Sequence, residues 1–131
     1  GKWIMIDLGI AFADEKYPGV DLLAPKLDFL DKISDKLEAI IISHGHEDHA
    51  GAVSFFAEKI HCPVYATGFA KYLIENRLKK FGKLDKINLI AIDPKKKITL
   101  NNFSNFKFQK NISVNINNFF FKFYKKIFII I

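Results

Sequence analysis

The chain has 131 residues, half of them apolar, and a single cysteine, Cys62. That length gives room for one core and one domain, and a lone cysteine excludes a disulfide framework and fits a reducing cytoplasm. The formal charge of +6 is uneven: residues 1–104 hold all 14 acidic side chains against 15 basic ones, while residues 105–131 hold five lysines and no acid, so net basicity is no argument for a nucleic-acid face.

Residues 3–7 alternate and are rich in β-formers, which predicts a strand ending at Asp7, with Gly9 free to permit a turn. Residues 10–25 keep no period and contain Pro18-Gly19, the mark of a long loop, and long loops are often functional; Asp14, Glu15 and Asp21 receive no individual role. Leu27, Leu30 and Ile33, with Phe29 beside them, fall at helical spacing within residues 26–33. Residues 37–43 are an apolar run of the kind covered on both faces, and open α/β sheets place their ligands beyond the carboxyl ends of such strands.

That run leads into Ser43-His44-Gly45-His46-Glu47-Asp48-His49, where three imidazoles and two carboxylates fall within six residues. Such density points to metal. In an extended chain His44 and His46 share one face and reach one ion, whereas Asp48 and His49, adjacent in sequence, fan out from the first turn of a helix toward a second ion. Nitrogen and oxygen donors without thiolate suit a catalytic zinc site, in which a bound water has its pKa lowered to about 7. Glu47 reads as a solvated neighbour of the site.

Residues 50–60 read as a helix through Val53, Phe56, Ala57 and Ile60, whose amino terminus favours an ionised Asp48 and would attract phosphate, with Gly51 allowing close packing. Residues 63–66 read as a strand, and Thr67 as the cap of a helix running to about Phe81, with Phe69, Tyr72, Leu73, Leu78 and Phe81 on one broad core face and Gly82 ending it. His61 is a loop or surface histidine and Cys62 a small half-buried hydrophobe. Residues 87–93 form a strand, 94–97 a solvated turn with Lys95, Lys96 and Lys97, and 98–100 a further strand. The β-α-β alternation predicts an α/β layer with helices over one face of a sheet.

From residue 105 the composition changes. Of 27 residues, 24 are Asn, Phe, Lys, Ile or Tyr, types with codons built only from A and T, which marks an AT-rich segment either out of frame or compositionally drifted and disordered. Lys122, Lys125 and Lys126 interrupt its apolar run, so no membrane span is expected, while residues 119–123 and 127–131 have high β-propensity.

His44, His46, Asp48 and His49 form an HxHxDH pattern that resembles the metallo-β-lactamase fold superfamily. The words Trp3-Ile-Met-Ile-Asp-Leu-Gly9, Tyr17-Pro-Gly-Val-Asp21, His46-Glu-Asp-His-Ala-Gly-Ala52 and Cys62-Pro-Val-Tyr-Ala-Thr67 are similar to the ribonuclease J family of its β-CASP branch, over about residues 1–103. The resemblance implies an α/β fold, a partial αβ/βα sandwich amounting to roughly half of the complete fold in residues 1–104, followed by the 105–131 tail. It implies Zn2+, two ions in the complete family site: His44 and His46 hold one, and Asp48 and His49 help hold the other, all four being catalytic through the metal.

It also implies that Asp7 supports the loop through hydrogen bonds, although from the sequence alone a simple turn aspartate reads equally well. The implied activity is hydrolysis of RNA phosphodiesters from the 5′ end and internally, in the cytoplasm, with a homo-oligomer compatible with a full-length parent. The family adds a later histidine, a bridging aspartate and a final histidine, for which His61 comes too early, so the chain alone is expected to be inactive. The alternatives are a thioester or lactone hydrolase of the same fold and a non-catalytic metal-binding fragment.

Overall fold

Apolar words in the first hundred residues build the centre of one sheet. The computed structural model describes residues 2–26, 28–100, 103–107, 121–124 and 127–130. In chain order its elements are β1 (Trp3–Ile6), β2 (Ala11–Phe12), β3 (Leu22–Leu23), α1 (Asp28–Ile33), β4 (Leu37–Ile42), α2 (Glu47–Ala50), β5 (Val64–Thr67), α3 (Gly68–Lys80), β6 (Leu89–Ile92), β7 (Lys97–Leu100), β8 (Phe103–Lys107), β9 (Phe121–Tyr124) and β10 (Ile127–Ile130), with short 3-10 turns at Ala57–Lys59 and Leu84–Lys86.

The main sheet has the order β6-β5-β4-β1-β10-β9. Its first four strands are parallel, and their register sets Ile6 beside Ile41 and Ile40 beside Val64. Parallel neighbours need crossovers, and the helical segments between them cover one face. Period-two alternation then divides the side chains. Met5, Ile40, Ile42 and Val64 pack toward Leu30, Ile33, Ile74 and Leu78 on the helical side. Ile4, Ile6, Ala39 and Ile41 face the other way and pack with Ile98 and Leu100 of β7. β4 is therefore covered on both faces, as a run apolar everywhere but at Glu38 predicts, and its carboxyl end opens onto the His-rich loop. A helix layer, a mostly parallel sheet and the start of a second β layer make up a partial αβ/βα sandwich.

Several expectations need correction. The helix over residues 50–60 does not form: α2 is a single turn ending at Ala50, followed by turns and the 3-10 segment. Its ladder breaks because the Ala52 amide donates to the Leu8 carbonyl at 3.0 Å instead of to the preceding turn. One turn has little macrodipole to offer a phosphate.

The aromatic stripe of α3 is not core either. Phe69 is 72% exposed, and Tyr72, Leu73 and Phe81 are also exposed, whereas Ala70, Ile74 and Leu78, at i, i+4 and i+8, form the buried stripe. Small and aliphatic residues let the helix lie close to β5 and β6. Thr67 occupies the cap position without a side-chain cap bond. Gly82, at φ +64°, ends the helix: its amide donates to Lys79 O and the Lys83 amide to Leu78 O, a Schellman closure.

Within residues 10–25, β2 and β3 pair as a short antiparallel hairpin where a featureless loop was expected. Leu27 and the side chain of Phe29 lie outside the described residues, and Leu30 and Ile33 carry the buried side of α1. Asp93 organises the expected turn, its carboxylate accepting from the Lys95 amide at 2.9 Å. Cys62 is buried, and burial pushes its thiol up to about 11, so it is an inert hydrophobe at neutral pH.

In the 105–131 segment, β10 runs antiparallel to β1, with Ile4 opposite Ile130, and β9 pairs with β10. Residues 108–120, 125–126 and 131 of that segment lie outside the described residues. Among the described residues, no helix is long and apolar enough to cross a membrane.

Candidate metal centre

Three pieces of backbone meet beyond the carboxyl end of β4: the turn after β1, the loop 43–46 and the single turn of α2. Asp7 takes φ 61°, a left-handed conformation that aspartate tolerates better than most residues. That kink drives its carboxylate beneath the loop, where the residue is 1% exposed. The following residues run alongside α2: the Leu8 amide donates to His49 O at 2.7 Å and the Ile10 amide to Glu47 O at 3.0 Å. Gly9 does not turn the chain. It provides closeness, since a Cβ there would sit 1.8 Å from Asp48 O.

The Asp7 carboxylate accepts from the Ser43 amide at 2.7 Å and from the Ser43 hydroxyl at 2.8 Å, and its Oδ2 lies 2.7 Å from His49 Nδ1. An ionised carboxylate only accepts, so His49 carries its proton on Nδ1 and donates it to Asp7. The Ser43 hydroxyl proton is committed to Asp7, so at the 2.9 Å contact between Ser43 Oγ and His44 Nδ1 the ring nitrogen donates. Both histidines are thereby held as Nδ1–H tautomers with Nε2 lone pairs free, the form in which imidazole ligates metal. These tautomers are assigned from the hydrogen-bond network.

The three rings of the motif are gathered together. His44 lies 4.5 Å from His46 and 4.0 Å from His49, centroid to centroid, and His49 Nε2 is 3.6 Å from Asp48 Oδ2. Burial lowers the His44 pKa, and the neighbouring His49 and His46 lower it further against the opposing pull of Asp7 and Asp48. His44 is therefore neutral at neutral pH, as a ligand must be.

Among the described residues, no three His, Cys, Asp or Glu side chains converge as ligands of one ion. The donor chemistry, the freed Nε2 atoms and the buried carboxylate behind them fit zinc. His61 is exposed and precedes β5, which runs parallel beside β4, so it lies at the amino ends of these strands while the loop leaves the carboxyl end of β4, and it takes no part.

Glu47 is the residue that sequence reasoning missed. It is half-buried and not a solvated neighbour: its two carboxylate oxygens receive a two-pronged fork from Arg77 Nη1 and Nη2 on α3. The hydrogen bond to Glu47 raises the Arg77 pKa further. Gly51 packs as expected, since a Cβ there would meet Glu47 O at 2.5 Å and Ile10 Cγ1 at 2.7 Å. The solvent side of the loop opens on a cleft of about 700 Å3 lined by Ile10, Ala11, Phe12, Gly45, His46, Glu47 and Asp48.

A parallel sheet that delivers a His/Asp loop at one strand end, backed by a buried carboxylate from the neighbouring strand, defines a metallohydrolase fold. Residues 1–108 match the model of the metallo-beta-lactamase superfamily, and the chain belongs to that superfamily, which implies a metal cofactor. Its relatives include the ribonuclease J of Sinorhizobium meliloti, 43% identical over 74 residues, which are 56% of this chain and 13% of that protein. The ribonuclease J of Thermus thermophilus is 36% identical over 100 residues, 72% of this chain and 18% of the relative, and that of Helicobacter pylori is 40% identical over 89 residues, 64% and 13%. The chain resembles the amino-terminal part of these proteins and spans less than a fifth of the length of each.

Proposed function

We propose that this chain carries one half of the dinuclear zinc site of a ribonuclease of the ribonuclease J type. His44 and His46 hold one ion, Asp48 and His49 help hold the other, and Asp7 orients the loop. The observation that carries this reading is the network from Asp7 through Ser43 to His44 and His49, which engages Nδ1 of both rings and leaves their Nε2 atoms outside it, on the loop whose His46 and Asp48 line the cleft. Bound zinc supplies Lewis acidity that activates water near neutral pH and offsets charge on a phosphodiester.

The substrate of the parent protein is RNA, cut from the 5′ end and internally in the cytoplasm, and the parent is compatible with a homo-oligomer. The relatives are ribonucleases J, which favours this substrate over a thioester or lactone. Residues 1–104 form the metal-bearing unit and residues 105–131 a compositionally separate tail.

By themselves the 131 residues supply two donors per ion, with His61 as their only other histidine. The chain is therefore expected to bind zinc but not to turn over. Chelator-competition titration of zinc, run beside an assay on 5′-monophosphorylated RNA, should show binding that His44→Ala and His46→Ala each weaken, and no cleavage. Zinc binding untouched by either substitution would overturn the site assignment, and cleavage by the isolated chain would overturn the claim of inactivity.

A further inference from the structure

The metal loop has little stability of its own. α2 is one turn long, and His46 at its cap position makes no side-chain cap bond. A single turn fixes several backbone dihedrals for about one hydrogen bond, so neighbours must hold it. On the β1 side the loop is tied by Asp7 and by the backbone bonds from Leu8 and Ile10. On the α3 side it is tied by the fork from Arg77 to Glu47, 30 positions apart in sequence. Gly45 lies close against the same helix, where a Cβ would come within 2.7 Å of Leu73 Cδ1.

Glu47 stands between His46, a donor to one ion, and Asp48, a donor to the other. We propose that the Glu47–Arg77 fork is a clamp that fixes the backbone between the two ligand pairs, so that Arg77 and Glu47 are positioning residues for the metal centre. The inference rests on the zinc reading above. A planar guanidinium gripping both carboxylate oxygens fixes direction as well as distance, which a lysine ammonium cannot do. The pair is partly exposed to solvent, with side chains about a third accessible, so its main effect is on loop geometry and only slightly on global stability.

The test uses the whole chain and five variants: Arg77→Lys, Arg77→Ala, Glu47→Gln, the combination of Arg77→Ala with Glu47→Gln, and the exchange Glu47→Arg with Arg77→Glu. Two quantities are read: zinc affinity by chelator competition, and amide hydrogen exchange across the loop without metal. Arg77→Ala and Glu47→Gln should each weaken zinc binding about tenfold, the scale of losses when a metal ligand's outer support is removed, and Arg77→Lys should recover less than half of that loss. Combining Arg77→Ala with Glu47→Gln should add little to either alone, because one interaction is lost once. The exchange variant should regain part of the affinity.

In the metal-free chain Arg77→Ala should speed exchange of the amides of residues 49–51 about tenfold and leave those of β4 and β5 unchanged. Parental zinc affinity in the single variants, or fully additive losses, would overturn the clamp. If the parent chain binds no zinc, the zinc reading fails by itself, and the exchange measurement still decides the clamp: unchanged loop protection in Arg77→Ala rejects it.

Discussion

Replacing Asp7 by asparagine is expected to lower zinc affinity about 10–100-fold while leaving the chain folded. Asparagine tolerates the φ of 61° at this position, and its amide oxygen can still accept from the Ser43 amide. Its NH2 group, however, would face His49 Nδ1 and cannot accept the proton that Asp7 accepts there at 2.7 Å. The imidazole must then move its proton to Nε2, the atom required for metal. A wrong-tautomer effect of this kind acts on ligation more than on folding, and about 1–2 kcal/mol of stability should be lost with the charge-assisted bonds. Asp7→Ala should be worse, about 2–4 kcal/mol, because it strands the part-buried Ser43 amide and removes the polar side chain that makes the left-handed region tolerable to aspartate and asparagine. Zinc titration and denaturant unfolding of the two variants separate these effects. Parental zinc affinity in Asp7→Asn would show that the carboxylate does not set the tautomer.

Gly9→Ala should destabilise the fold by at least about 3 kcal/mol, at the upper end of overpacking effects. The added Cβ would lie 1.8 Å from Asp48 O, 2.1 Å from Asp48 C and 2.7 Å from His49 N, all backbone atoms without a rotamer to yield. Either the turn after β1 withdraws from the loop or the loop withdraws from Asp7, and both routes break the network beneath the histidines. Gly68→Ala is the matched control. Its Cβ would meet nothing within 4 Å at the first position of α3, and alanine should stabilise the helix by up to about 1 kcal/mol. Urea unfolding of both variants gives the comparison. A Gly9→Ala chain within about 0.5 kcal/mol of the parent would mean that the close approach is not needed.

The parts of this molecule that were legible in the sequence are those decided locally. Residues 37–42 are apolar at nearly every position, and only a strand buried on both faces accommodates that run. The histidines and carboxylates of the loop stand out by type and spacing, and the fold gathers the three rings together. What could not be read depends on partners distant in the chain. The Ala52 amide is captured by Leu8, 44 residues earlier in sequence, and that bond ends α2 where local propensity would have continued a helix.

Glu47 looks like any charged loop residue until α3 brings Arg77 alongside it. Phe69, Tyr72 and Leu73 have helical spacing as good as that of Ala70, Ile74 and Leu78, and hydrophobicity alone chooses the aromatic face. Packing distance reverses the choice, because a helix set close on β5 and β6 needs small and aliphatic contacts. Gly9 likewise suggested a turn, whereas the positive φ falls on Asp7 and the glycine is needed for space.

The central claim is that the imidazoles of this loop bind metal, and that His44 and His49 do so through Nε2 because Ser43 and Asp7 hold their Nδ1 atoms. Long-range proton–nitrogen NMR of the imidazole rings, recorded during a zinc titration of the parent chain, tests it directly. The account requires Nε2 of His44 and His49 and one ring nitrogen of His46 to shift on binding, Nδ1 of His44 and His49 to stay protonated throughout, and His61 to remain unchanged. Zinc coordinated through Nδ1 of His44 or His49, or perturbing His61 while leaving the loop histidines unaltered, would contradict it.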